Sequence, residues 1–521
     1  MYSERKGKPM KEKSKGKQIS FNMISSVISF IVTIGISLFI TPLIVEKLGS
    51  VAYGFVTLSN NFVSYAALIT VALNSMESRF VSISIYQNDY KKANTYFTSV
   101  FFANIFIALA MIPVMVFVIL KLDVLLQIPS NLVADVKLTF VIVFIQFLVE
   151  ILTSRFEIAT YVTNRLNLYY MNQILASVIR LAVILIGFQI FSVNIVFLVL
   201  GSLVGKLFVA GRNMGFTKKF LPNLKVKSGY FELRSIKDVA SAGIWNLVNK
   251  LSGILLDGLD LLIANIFIGA ADMGALSISK TTPAMFMTLR GTLDYSFTPS
   301  ITEAYAKGDI QGVVRYARSA NKVLGIFMIA PMAVFCVFGK SFFELWVPGE
   351  DAGMIEILSL LSILSLLAGS CINSVFTIFT ITNKLKLNSI VILFTGVATT
   401  LTVFALLETT NLGVYAIAGV SSVYALIRNF IFTPIYGAHC LGLKKSTFYH
   451  EIITGNVSLV INLLVAFIIY KMFIIDNWIT LILDCTIAGL LCLIVNFFIV
   501  LSKNERKRII QMINKKILKG N

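Results

Sequence analysis

Residues 244–269 read IWNLVNKLSGILLDGLDLLIANIFIG, and after a short turn at Ala270–Met273 the chain continues as SISKTTPAMFMTLRGTLDYSFT over 277–298. Both runs have the length and apolar content of a helix that crosses a hydrocarbon core, which takes about 20 residues. They nevertheless carry Lys250, Asp257, Asp260, Lys280, Arg290 and Asp294. A charge at the centre of a bilayer costs about 2.5–3.5 kcal/mol on insertion scales, so six of them require partners or a wet cavity.

The rest of the chain has the same character. Of 521 residues, 57% are hydrophobic and only 14% charged, with a mean hydropathy of +0.84. An ordinary soluble domain carries about a quarter charged residues. Apolar runs predict fourteen spans near 19–44, 51–76, 94–120, 136–158, 171–190, 193–212, 240–268, 273–300, 318–339, 354–381, 387–407, 412–436, 452–474 and 478–501. The alternation that marks barrel strands is absent. The fold class is therefore an all-α polytopic membrane protein with fourteen transmembrane helices. The first apolar run is too long for a signal-peptide core and lacks a small-residue cleavage site, which predicts an uncleaved span.

A net charge of +19 invites a nucleic-acid reading, but the charge is distributed by side. With the N-terminus placed in the cytoplasm, 35 Lys and Arg fall on the cytoplasmic side and 5 on the other, with Arg180, Lys250, Lys280, Arg290 and Arg428 inside spans. That is the positive-inside rule, and it predicts both termini in the cytoplasm. The partners it implies are membrane lipids, not nucleic acid.

A repeat runs through the chain. Gly49 and Gly54 recur as Gly269 and Gly274, Tyr86 as Tyr305 and Pro129 as Pro348. Thr163-Asn164-Arg165-Leu166 returns as Thr382-Asn383-Lys384-Leu385, and Arg212-Asn213 as Arg428-Asn429. This predicts a basic tail at 1–18, a six-helix lobe at 19–220, a linker at 221–236, a second six-helix lobe at 237–440, two further helices at 441–502 and a basic tail at 503–521. An even number of spans per repeat makes the repeats parallel, an arrangement that places a substrate site between halves and works by alternating access.

On helical spacing Asn246, Lys250, Asp257 and Asp260 share a sector of roughly 80° on the seventh span, and Lys280, Arg290, Asp294 and Thr298 a similar stripe on the eighth. Arg290 and Asp294 stand four residues apart and can pair. The stripes line a cavity, or they are ion pairs tying the two spans together. Pro283 and Pro299 bracket the second stripe as candidate hinges, since proline removes a backbone donor and bends a helix. Arg180 lies deep in the fifth span and Glu150 within the fourth; Arg79, Lys206 and Arg428 sit near span ends and read as snorkelling residues.

Catalytic material is scarce. The chain has two histidines, His439 and His450, and five cysteines, none in a CxxC pair. Metal clusters and catalytic triads lack their residues, so no metal site, cofactor or enzymatic activity is expected. GSLVGK at 201–206 is one residue too short between its glycines for a phosphate loop. Any driving force would come from a gradient, with H+ or Na+ as the coupling ion, or from mass action.

NMISSVISFIVTIGISLFITPLIVEKLGSVAYGFVTLSNNFVSY over 22–65, with Asn22, Pro42, Leu48-Gly49 and Tyr53-Gly54, resembles the N-terminus of the polysaccharide-transporter family. That family holds the O-antigen and capsular repeat-unit flippases of the multidrug/oligosaccharidyl-lipid/polysaccharide exporter superfamily. Asp260, Gly269 and Gly274 in LDLLIANIFIGAADMGAL are similar to its second-lobe opening, and the likeness covers about residues 20–440. The resemblance implies lobes like those of multidrug and toxin extrusion (MATE) transporters. It implies flipping of an undecaprenyl-diphosphate-linked oligosaccharide, with other polysaccharide-assembly membrane proteins as possible partners. Under it Arg180, Lys250, Lys280 and Arg290 contact the diphosphate or sugar, while Asp257, Asp260, Asp294 and Glu150 orient those cations or carry a coupling ion. A lipid II flippase and a MATE-type drug/cation antiporter share the architecture and stay open as alternatives. A membrane glycosyl-polymerase would need a long external loop, which the short external connections do not supply. A purely structural scaffold would leave the buried charges without a purpose.

Overall fold

The computed structural model describes residues 12–163, 165–295, 297–507 and 511, so Asn164 of the repeated tetrapeptide and most of both basic tails lie outside the described residues. The side chain of Pro299 lies outside them too. Among the described residues there are helices and turns and no strands. Twelve helices are long and apolar enough to cross a membrane. That is two fewer than the fourteen predicted spans, and the difference arises at two places.

The first two predicted spans form one helical run, Glu12–Ala66, folded over a kink at Gly49, where φ is 82°. Only glycine enters that region without a Cβ penalty. The eighth predicted span is divided into Ala270–Ser279, Thr281–Tyr295 and Thr298–Ala306. Pro283 falls in the first turn of the second piece and Pro299 in the first turn of the third. Proline is tolerated there because the first amides of a helix have no internal acceptor. The two prolines thus start helical pieces, where bends within a continuous helix were expected.

The chain forms two compact units, one of residues up to Leu43 with Leu58–Leu247, the other of Ile44–Thr57 with Val248 onward. In the first, the segment after helix Val196–Phe220 is bound to the start of helix Tyr90–Leu120. Lys225 N donates to Asn94 Oδ1 at 2.8 Å, Asn94 Nδ2 donates to Asn223 O at 3.1 Å, and Glu232 N donates to Ser99 Oγ at 2.9 Å. Leu221 and Leu224 are buried with Phe97, Val100 and Ile158. A segment predicted as a linker is therefore anchored at 221–225 and at Glu232, with 226–229 exposed between them. Gly201 and Gly205 provide a close helix contact, since a Cβ would come within 2.8 Å of Arg180 O and 3.0 Å of Ala176 O. Small residues allow such approach between membrane helices.

In the second unit two of the repeated glycines meet. A Cβ on Gly274 would lie 2.8 Å from the Ser50 carbonyl carbon, and one on Gly54 would lie 3.1 Å from Gly274 Cα. The last two helices, Tyr449–Met472 and Trp478–Val500, join the unit through buried amides. Asn462 donates to Asn496, whose Nδ2 donates to Ile326 O at 3.0 Å on helix Ile310–Trp346.

Local features recur at the spacing seen in the sequence. Asp89 and Asp309 each cap a long helix by accepting from a backbone amide three residues on. Asn88 and Gly308, just before them, both have positive φ. Helices Leu166–Ile190 and Leu385–Thr409 each have 25 residues.

Candidate functional site

The site grows out of an irregularity. Helix Leu233–Gly253 continues into a π-helical turn, Ile254–Gly258, before Asp260–Phe267 resumes α-geometry. A π-turn inserts a residue and shifts the phase of everything after it, and such turns concentrate at functional sites. The single stripe read from ideal helical spacing is accordingly divided: Lys250 and Asp257 are exposed, whereas Asp260 is buried.

Neighbouring side chains hold the turn. Thr400 Oγ1, from helix Leu385–Thr409, donates to Leu255 O at 3.0 Å. Lys280 occupies the one-residue break between the first two pieces of the divided helix. Its Nζ donates to Asp257 O at 3.2 Å and forms an ion pair with the Asp260 carboxylate. Sequence reasoning proposed either cavity lining or internal pairing for these residues. For Lys280 and Asp260 the structure brings the two together.

A second group of charges lies in the same unit. Asp294 Oδ2 accepts from Asn373 Nδ2 at 2.8 Å, and Arg290 stands four residues before Asp294 on the same helix, within reach of its charge. Arg428 begins a second π-helical turn, Arg428–Phe432, within the run from Val414 to Cys440. Its charge is attracted by Asp257 and repelled by Arg290, and its guanidinium carbon lies 6.0 Å from the Phe376 ring centre. Asp257, Arg428, Arg290 and Asp294 thus make a group of two acidic and two basic side chains, with the two arginines as like-charged neighbours and Asn373 hydrogen-bonded to Asp294. Such an arrangement can bind an anionic head group through its guanidinium groups, which present planar, multiple donors to phosphate oxygens.

Arg428 and Asn373 were missed by sequence reasoning. Arg428 near a span end reads as a snorkelling residue, and only its place in the repeated Arg-Asn pair drew notice. Lys250 is an exposed residue of helix Leu233–Gly253. Arg180 and Glu150 belong to the other unit. Arg180 is half-buried where its backbone packs on Gly201. Glu150 pairs with Lys206 at 2.7 Å, both side chains more than 40% exposed. Among the described residues no group of three or more His, Cys, Asp or Glu is placed to hold a metal ion.

No protein-family model matches the chain. A protein of Bacillus subtilis (strain 168) described as the uncharacterized membrane protein EpsK is 28% identical over 498 residues, covering 96% of this chain and 98% of its own. Among solved structures the chain is similar to the lipid II flippase MurJ in an inward closed conformation, with a TM-score of 0.66 at 14% identity over 92% of this chain and 98% of that one. It is also similar to a multidrug resistance MATE family transporter of the MOP superfamily in an inward-facing conformation, with a TM-score of 0.62 at 12% identity over 82% of this chain and 97% of that one. The chain shares the fold of these two solved structures. It is a multi-pass membrane protein whose structural neighbours are transporters.

Proposed function

We propose that this protein is a flippase that moves polyprenyl-diphosphate-linked oligosaccharide repeat units across the bacterial cytoplasmic membrane by alternating access. The observation that carries the reading is the placement of Asp257, Arg290, Asp294 and Arg428 on helices of the second unit, with Asp294 hydrogen-bonded to Asn373 at 2.8 Å. A diphosphate-sugar head needs a wet, cationic passage, while its polyprenyl tail stays in lipid. Arg290 and Arg428 would take the diphosphate and Asn373 the sugar edge, with Lys250 as a further contact. The carboxylates of Asp257 and Asp294 would hold the guanidinium groups until substrate displaces them. The reading keeps fourteen spans in two parallel six-helix repeats with two added helices, both termini cytoplasmic, the kinked first helix counting as two spans and the divided eighth as one.

A lipid II flippase is the second reading. The likeness to MurJ extends over 92% of this chain against 82% for the MATE transporter, as expected if the last two helices have counterparts only in the former. Both readings share the diphosphate chemistry and differ in the sugar.

The test is reconstitution into vesicles and measurement of a fluorescent lipid-linked oligosaccharide moving between leaflets. A hydrogen bond to a charged group contributes about 1.5–3 kcal/mol, so Arg290→Ala and Arg428→Ala should each slow flipping by about ten-fold or more. Unchanged flipping by both folded variants would remove the two arginines from the passage. Movement of an organic cation dye in place of the lipid would favour the antiporter.

A further inference from the structure

The Asp260 carboxylate lies almost fully buried, and the group that neutralises it belongs to the protein itself. Lys280 Nζ sits between that carboxylate and the Asp257 carbonyl oxygen, which the π-turn presents outside the regular helical ladder. A carboxylate oxygen together with a carbonyl released by irregular backbone is the donor set that broken membrane helices offer to a small cation. The Lys280 side chain is 23% exposed and that of Asp260 8%, so the lysine is the more accessible member of the pair. The charge of the Asp257 carboxylate acts on Asp260 as well as on Arg428, and the Lys280 ammonium is the cation paired with Asp260.

We propose that Lys280 is a tethered cation that fills an alkali-cation site built by Asp260 and the Asp257 carbonyl, making the second unit independent of free Na+. The ammonium carries the same single positive charge as the ion and reaches the same oxygens. It is held by a side chain that sits at a break between two helices. A free ion would have to displace a group present at very high local concentration, which a tether ensures. Removing the ammonium leaves the oxygens and the buried negative charge, and a free cation then has both a vacancy and a reason to bind. As a statement about the ion dependence of transport this rests on the proposed function. As a statement about cation binding it stands on the geometry alone.

The experiment therefore reads binding, by thermal unfolding of the full-length detergent-purified protein. Equal concentrations of NaCl, KCl and N-methylglucamine chloride are compared, so that ionic strength is constant. The native protein should unfold at the same temperature in all three. Lys280→Ala should be destabilised in N-methylglucamine and regain several degrees in NaCl or KCl. The double variant Asp260→Asn with Lys280→Met, which removes both charges, should fold and again show no difference between cations. A Na+-specific rise for the native protein would overturn the proposal, because the site would then be open. So would a folded Lys280→Ala indifferent to the cation. If Lys280→Ala is recovered folded only when purified in alkali salt, the proposal is supported. If it fails in every salt while the double variant folds, no free cation replaces the ammonium and the proposal falls. None of these outcomes depends on whether the flipping assay succeeds.

Discussion

Each unit contains one long helix that breaks near its end and restarts as a short one, and the two breaks are secured by different chemistry. In the first unit Val133–Thr153 passes through the turn Ser154–Glu157 into Ile158–Val162. In the second Ala352–Gly369 passes through Ser370–Ile372 towards Val375–Ile381. The first break is ionic: Arg155 Nη1 donates to Glu77 Oε1 at 3.3 Å and to Phe97 O at 3.4 Å, and the guanidinium lies 4.9 Å from the Phe101 ring centre. The second is neutral, with Ser374 Oγ 2.7 Å from Asn321 Oδ1 and 2.9 Å from Ala317 O. Charge in the first unit is thus spent on a joint, while the second unit secures the same kind of joint with amide and hydroxyl groups and carries its charge at Asp257, Arg290, Asp294 and Arg428. Charge is used in two ways, to fix a bend in the first unit and, under the proposed function, to meet a ligand in the second.

The largest expected effect follows from breaking the ionic joint. Both side chains are almost fully buried, and Arg155 Nε and Nη2 have no hydrogen-bond partner. Removing one partner of a buried pair costs about 3–5 kcal/mol, whereas replacing both by apolar groups is often neutral. Arg155→Met should therefore lower the unfolding temperature sharply, and Glu77→Leu added to it should restore most of the loss. Ser374→Ala should cost only about 1–3 kcal/mol, the desolvation penalty of an unpaired neutral group. Equal losses in Arg155→Met and Ser374→Ala, measured in the same detergent, would show that the two joints do not differ as described.

Packing, unlike charge, is handled alike in both units. A Cβ at Gly201 meets the Arg180 backbone and one at Gly274 meets the backbone at Ser50–Val51, so neither neighbour can yield by rotating a side chain. Gly201→Ala and Gly274→Ala should each destabilise by about 1–3 kcal/mol through overpacking. Gly211 and Gly291 have nothing within 4 Å of an added Cβ. There the same change should stabilise slightly, by about 0.4–1 kcal/mol, because alanine restricts the unfolded chain. If the four variants unfold alike, the close approaches are not tight.

Much of the fold was legible in the sequence because lipid imposes long apolar runs, which the structure forms as helices. The matched glycines also marked real features, the kink at Gly49 and the contact between Gly54 and Gly274. What could not be read was local phase. Placing Lys250, Asp257 and Asp260 in one sector assumed 3.6 residues per turn throughout, and the π-turn at Ile254–Gly258 breaks that assumption. Arg428 was hidden differently, because its place near a span end reads as snorkelling, and it begins a second π-turn. Glu77 and Arg155 escaped notice for another reason: each lies at the edge of a predicted span, where a charge raises no question until burial is known.

The smallest effect concerns Glu150, which the sequence offered as an ion-coupling or orienting carboxylate. Its partner Lys206 lies on helix Val196–Phe220, and the pair bridges two helices of the first unit at 2.7 Å. Both side chains are exposed on the protein surface. If that surface is wet, the pair resembles other exposed ion pairs and contributes about 0.2–1 kcal/mol, weakened by salt. A double-mutant cycle with Glu150→Gln and Lys206→Met, read by unfolding at low and high salt, should return a coupling in that range that falls as salt is added. A coupling several times larger and indifferent to salt would mean that the pair is shielded by lipid. Glu150 would then belong with Glu77, as a carboxylate whose charge fixes structure, and the contrast between units would extend from one joint to the whole of the first.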